Sequence, residues 1–385
     1  MHHISRIPPA VSALPAPADD SPAGRHAFSR RQVSGGALGL LALGLAGGLA
    51  GCRRGGAGLD VVNLAAIAYP YKGGQVLNGL NGVVEEQGWL KGELGKRGIA
   101  LNFVPVPTAV GAPQINEGFS GRKIDFASYG DFPAIIADAG GVPLKLVAPA
   151  GQGQDVYLVV RKDLPARSIA DLKGKRIALH RGRPWELPFS KLLDSAGLTF
   201  ADFTIVNINP QATPAALAGG SVDATVLLSD GLLLEQKGIG RVIWSTKQAP
   251  ADWKMRAELF ARGDFVADHP EITQLVVSAF VRAARWSADE ANKAQVIANA
   301  ARGSMPTPII EADYASTPYS WRERFSPLFR PAIASHYRSV ADYALAHGLI
   351  HAPVDTGQLI EPRFVAQAIR DLGLTGFWSD KDSAA

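Results

Sequence analysis

The chain has 385 residues with 39 Lys and Arg against 35 Asp and Glu, a formal charge of +4, and one cysteine. Its length suggests two lobes or domains. Four arginines (Arg6, Arg25, Arg30, Arg31) against Asp19 and Asp20 before Cys52 account for +2, so the remainder stands at only +2. No run of basic residues is interleaved with aromatics, and nucleic acid is not an expected partner. A lone cysteine excludes a disulfide-stapled scaffold, and a body of this size buries enough apolar surface without one.

Residues 8–22 are rich in proline, alanine and serine, a composition that stays unstructured. Ser29-Arg30-Arg31-Gln32-Val33 then leads into an uncharged stretch, 34–51, that holds seven glycines and ends in Leu49-Ala50-Gly51-Cys52. A paired-arginine n-region, an apolar h-region and small residues before the cut read as an export signal of twin-arginine (Tat) type ending in a lipid-attachment cysteine. A membrane-spanning anchor is the alternative, since the stretch approaches the ~20 apolar residues a bilayer requires; its glycines weaken that reading. Cys52, used by the lipid, is then not a catalytic nucleophile. Residues 53–58 form a tether.

Folding begins near Asp60. Strand-length apolar runs alternate with helix-length segments: 61–67 then 76–87, 101–105 then 113–119, 124–128 then 132–139, and 144–148. The alternation predicts an α/β lobe built on a parallel sheet with helices on both faces. A second series follows: strand 156–160, a short helix after the capping box Ser168-Ile169-Ala170-Asp171, strand 176–179, helix 186–196, strand 203–206, helix 214–218, strand 224–228, helix 232–237 and strand 242–244. Beyond Pro250 strand signals fade, and helices are expected at 272–300, 333–347 and 363–372. Two α/β units imply a cleft, and open α/β sheets bind ligands beyond the carboxyl ends of their strands.

No Gly-x-x-x-x-Gly-Lys-Ser/Thr loop, Gly-x-Ser-x-Gly elbow or His-Glu-x-x-His helix is present. His347 and His351 have i,i+4 spacing, but Gly348 between them marks a helix end, so they read as surface histidines. Gly151-Gln152-Gly153 precedes a strand instead of linking a strand to a helix, which rules against a nucleotide loop and suits a flexible crossing between lobes. Three strand-end loops remain. Tyr69-Pro70-Tyr71-Lys72-Gly73-Gly74 offers amides and aromatic rings, with an ordinary βα turn as the alternative. Tyr129-Gly130-Asp131-Phe132-Pro133 offers Tyr129 to a ligand and Asp131 to either a ligand or a helix cap. His180-Arg181-Gly182-Arg183-Pro184-Trp185 opens a helix, where free N–H groups and two guanidinium forks favour an anion such as sulfonate, carboxylate or phosphate. Solvated loop charges are the alternative there.

At these loops the chain resembles the nitrate/sulfonate/taurine-type substrate-binding proteins of ABC importers. The resemblance rests on Ile115-Asn116-Glu117-Gly118 through Ile124-Asp125-Phe126-Ala127-Ser128-Tyr129-Gly130-Asp131-Phe132-Pro133. It rests also on Ser168-Ile169-Ala170-Asp171-Leu172-Lys173-Gly174-Lys175-Arg176-Ile177-Ala178, on Gly219-Gly220-Ser221-Val222-Asp223-Ala224, and on Ala341-Asp342-Tyr343 with Leu349-Ile350. It implies an α/β, two-lobed periplasmic binding protein fold of type II with a helical C-terminal segment. Residues 1–51 would be the signal peptide, 52–59 the tether, 60–152 the first part of lobe 1, 153–246 lobe 2, and 247–385 the completion of lobe 1 with a helical tail.

The function so implied is that of a non-enzymatic, monomeric, periplasmic lipoprotein that needs neither cofactor nor metal. It would capture a small anion of the aliphatic sulfonate, taurine or nitrate class and deliver it to a permease and ATPase, held to the membrane through Cys52. Carried over position by position, the ligand-facing residues are Tyr71, Lys72, Tyr129, Gly130, Asp131, Arg181, Gly182, Arg183, Ser229 and Asp230. Arg181-Gly182-Arg183 stands where the family often has Lys-Gly-Ser, and Ser229-Asp230-Gly231 where it often has Trp-Asp-Pro. Two further readings are an enzyme of the thiamine-pyrimidine type on the same fold and a sensory binding lipoprotein.

Overall fold

The computed structural model describes residues 58–108, 110–315 and 317–379. The expected export signal, Cys52 and most of the tether lie outside the described residues.

The first apolar runs assemble one sheet from β1 (Val61–Tyr71), β2 (Gly74–Val76), β3 (Ala100–Pro107), β4 (Phe126–Gly130) and β5 (Leu144–Ala148). A second sheet is made by β6 (Tyr157–Arg161), β7 (Arg176–Ala178), β8 (Thr204–Val206), β9 (Ala224–Leu227) and β10 (Gly240–Ser245), and β11 (Ala257–Arg262) returns to the first. The order is β2-β1-β4-β11-β5 in the first sheet, with β3 also on β1, and β10-β6-β9-β7-β8 in the second. β1 runs parallel to β3 and β4, and β7 parallel to β8 and β9. The sheets are mixed, not parallel throughout: β11 is antiparallel to β4 and β5, and β6 to β9 and β10.

Each sheet is covered on both faces. Against one face of the first pack helices Gly79–Gln87, Pro270–Ser287 and Arg363–Asp371; against the other lie Ala112–Ser120, Asp131–Ala139 and Pro331–Ala346. The second sheet buries helix Glu186–Ser195 on one side, and Thr213–Ala218 and Asp230–Gln236 on the other. The single helix expected over 272–300 is two, Pro270–Ser287 and Lys293–Ala301. Asp289 accepts the Ala291 N–H and the Asn292 amide donates to Trp286 O, which turns the chain between them.

Two segments join the sheets, one after β5 and one after β10. They pair with each other, Gln154 N–H donating to Met255 O and Met255 N–H to Gln154 O. Gly151 and Gly153 lie here at φ 109° and 83°, values open to glycine. The crossing is held rather than loose: Ala150 N–H donates to Glu258, the Arg256 guanidinium to Gly151 O, and Gln152 N–H to Arg324 O. Asp155 accepts from Thr246 Oγ1 and from Lys254, both members of that ion pair being 4% exposed.

Candidate functional site between the sheets

Because β1, β3 and β4 are parallel, their carboxyl ends fall on one edge of the first sheet; those of β7 and β9 fall on one edge of the second. These edges face each other. A Cβ added to Gly130, at the end of β4, would stand 2.5 Å from Pro184 Cγ in the loop after β7. A Cβ on Gly111, beyond β3, would stand 2.9 Å from an Arg183 Nη. Glycine at both points lets the backbone of one lobe meet the side chains of the other.

The two loop arginines have different fates. Arg181 bonds Glu186 Oε1 at 2.9 Å and lies over the Phe200 ring. Glu186 is fully buried and also accepts from Gly182 N–H at 2.6 Å and Tyr343 Oη at 3.1 Å. Arg181 is therefore neutralised, and with Gly182 it builds a latch to helix Pro331–Ala346 instead of offering charge to a solute. Arg183 is half-buried, and no carboxylate among the described residues pairs with it. Burial presses its pKa down, yet a guanidinium remains protonated. Beside it, His180 Nδ1 and Trp185 Nε1 are buried with no partner. Burial, then the Arg183 charge, lowers the His180 pKa. An unpaired guanidinium, an indole N–H and an imidazole nitrogen are thus left open at the start of a ten-residue helix, the chemistry that receives an oxyanion.

The other expected site residues divide. Tyr129 is a core side chain, 1% exposed, its ring 5.9 Å from Phe119 and 5.5 Å from Phe260; strand alternation turns it away from the loop. Asp131 is fully buried, accepting from Phe132 N–H at 2.7 Å, from Arg256 N–H at 3.2 Å, and bonding His336 Nε2 at 2.6 Å. His336 Nδ1 meets Asp252 O, and the Asp252 carboxylate bonds Lys191 of the second lobe. Asp131 is therefore a structural tie behind the loop. Tyr71 and Lys72 sit at the tip of a β1–β2 hairpin, not in a strand-to-helix turn: Lys72 and Gly73 both have positive φ, the two-residue hairpin turn. Both side chains are exposed.

The end of β1 contributes Tyr69 instead. Tyr69 is half-buried, and burial, then the Asp230 charge, raise its pKa. Ser229 and Asp230 follow β9, next to the Arg183 loop. Burial lifts the Asp230 carboxyl above its ordinary range, with only its own N–H opposing. His180, Trp185, Tyr69 and Gly111 were not singled out as site residues from sequence; the first two were legible as neighbours of Arg183 in the same loop. Among the described residues no group of His, Cys, Asp and Glu is placed to hold a metal, and no helix is long and apolar enough to cross a membrane.

Two sheets joined by two paired crossings, with facing strand-end loops, define a two-lobed periplasmic binding protein fold. The chain belongs to the NMT1/THI5-like family, whose profile matches residues 83–294. A Bacillus subtilis (strain 168) protein named as aliphatic sulfonates-binding is 25% identical over 324 residues, 84% of this chain and 94% of the relative. The crystal structure of a periplasmic sulfonate-binding protein, SsuA of a sulfonate ABC transporter from Methylobacillus flagellatus KT, is 47% identical. It covers 83% of this chain and 97% of its own, with a TM-score of 0.77. The desulfurization enzyme DszB shares the fold at 18% identity and a TM-score of 0.59, covering 81% of this chain and 99% of its own, so the fold by itself does not decide between binding and catalysis.

Proposed function

We propose that this protein is the periplasmic substrate-binding component of an ABC importer for small sulfonates, a lipoprotein anchored through Cys52 that binds its solute between the lobes and releases it unchanged to a permease and ATPase. The observation that carries the reading is Arg183: half-buried, unpaired by any described carboxylate, and reaching to Gly111 of the opposite lobe. A solute held by Arg183 and by the loops after β1 and β4 contacts both lobes, so it favours the arrangement in which they meet. The relatives named for sulfonate binding give the anion its class.

Calorimetric and thermal-shift titration of the purified protein with methane-, ethane- and propanesulfonate and with nitrate tests this. Ligand at 100 times Kd stabilises by about 2.7 kcal/mol. Arg183→Ala should weaken sulfonate binding by about 1.5–3 kcal/mol, the worth of a hydrogen bond to a charged group. A protein that responds to none of these anions would overturn the reading; unchanged affinity in Arg183→Ala would return that side chain to the solvated-loop class.

A further inference from the structure

Resting on the sulfonate reading for its solute, we propose that His336 is a positioning residue: a buried imidazolium that couples the loop after β4 to the crossing after β10, so that affinity for the solute depends on the ring's second proton. Helix Pro331–Ala346 carries it on the inward face that also holds Ile333, Tyr337, Val340 and Tyr343, and the ring is fully buried. Nδ1 faces the Asp252 carbonyl oxygen at 2.9 Å, and Nε2 faces Asp131 Oδ2 at 2.6 Å. A carbonyl oxygen only accepts, so Nδ1 carries a proton. Asp131 already accepts the Phe132 N–H at Oδ1 and the Arg256 N–H at Oδ2, and such donors favour the ionised carboxyl. Nε2 therefore donates as well, and only the imidazolium has two donors. The neighbouring polar groups leave this pairing intact: the Arg256 guanidinium turns to Glu258 and Gly151 O, Tyr337 packs edge-on at 5.4 Å, and Lys191 is bound to Asp252.

The Asp252 oxygen that meets His336 also accepts from Lys191 Nζ at 3.3 Å. One peptide oxygen of the crossing is thus held from both lobes, by His336 of the first and Lys191 of the second. Lys191 lies on the helix that opens after Arg183, and Asp131 follows Gly130, the residue that meets Pro184. His336 therefore stands between the two loops that approach each other across the cleft. A ring with a single proton would turn a lone pair on Asp131 or on Asp252 O, and an unmade buried hydrogen bond would loosen one of the two segments.

Nitrogen-15 NMR of histidine-labelled protein reads the ring directly, its signals being those missing from His336→Gln. In wild type at neutral pH both ring nitrogens should be protonated. Asp131→Asn should convert the ring to the neutral form with its proton at Nδ1, since a buried cation without its partner gives up its charge. His336→Gln, titrated with ethanesulfonate by calorimetry at a temperature where circular dichroism shows it folded, should bind at least about 5-fold more weakly than wild type, the low end of ordinary coupling between sites. A residue that only stabilises the fold would lower the melting temperature and leave that affinity unchanged. A neutral His336 ring in wild type, a ring still doubly protonated in Asp131→Asn, or a smaller loss of affinity in folded His336→Gln overturns the inference while leaving the sulfonate reading intact. A wild-type protein that binds no sulfonate overturns that reading, and the coupling to sulfonate affinity falls with it.

Discussion

Replacing Gly130 by alanine separates the meeting of the lobes from the folding of either. Gly130 has φ −69° and ψ 155°, extended backbone open to any residue, so the added methyl brings no strain of its own. It would stand 3.6 Å from Pro133 Cδ, an ordinary contact, and 2.5 Å from Pro184 Cγ. Carbon atoms settle about 3.5–4.0 Å apart, so the second contact is short by about 1 Å. Pro184 is buried, and its ring cannot swing aside as a longer side chain would. Forcing a methylene into such a place costs about 1–3 kcal/mol. That penalty falls on the arrangement in which the loops touch, because nothing inside either lobe changes. An apparent Kd is the intrinsic value divided by the competent fraction, so Kd for a sulfonate should rise about 5- to 150-fold. The melting temperature without ligand should hardly move. Calorimetry gives the first quantity and small-angle scattering with saturating ligand reports closure. A Kd within twofold of wild type would show that the Gly130–Pro184 contact is not part of the ligand-holding state.

Other predictions concern the crossing and the acid limb of stability. Lys254→Met leaves the Asp155 carboxylate buried with only Thr246 as partner; loss should be about 3–5 kcal/mol by urea denaturation, and most of it should return when Asp155 is replaced by leucine as well. A single variant within 1 kcal/mol of wild type, a bound suited to an exposed pair, would refute the claim that this pair is sealed. Asp223 is hydrogen-bonded by the Arg176 guanidinium, which, with the Arg176 N–H, holds its carboxyl below the usual range. A depressed folded pKa means stabilisation that is present above the ordinary carboxylate value and lost as pH falls through the depressed one. Asp223→Asn should therefore be less stable than wild type at pH 7, with the difference shrinking in acid; a gap that does not close on acidification would refute this.

Much of the fold was written locally. Runs such as 144–148, all apolar but for Lys145, could only be strands between turn signals, and β5 spans those residues. β11 escaped notice because Ala257–Arg262 has the composition of a helix former. Its strand conformation is imposed by place: inserted between β4 and β5, it buries Leu259, Phe260 and Ala261 together, which no single helical face would do. The hairpin at Tyr71 was hidden for a different reason. Lys72 takes a positive φ where Asn or Gly would have announced the turn, so the segment read as a loop before a helix. Tyr129 was misplaced by proximity to Gly130, though the period-two rule puts neighbours in a strand on opposite faces.

Charge pairing was the part of the site that sequence could not resolve. Arg181 and Arg183 are chemically identical and two residues apart, yet one is spent and the other free. Gly182 between them has φ 70°, a turn that sends Arg181 back onto Glu186 and lets Arg183 cross to Gly111. Glu186 is visible three residues after Arg183, and helical spacing alone would have paired it with the wrong arginine. Once Arg181 is neutralised, the cleft no longer holds two positive charges for an anion.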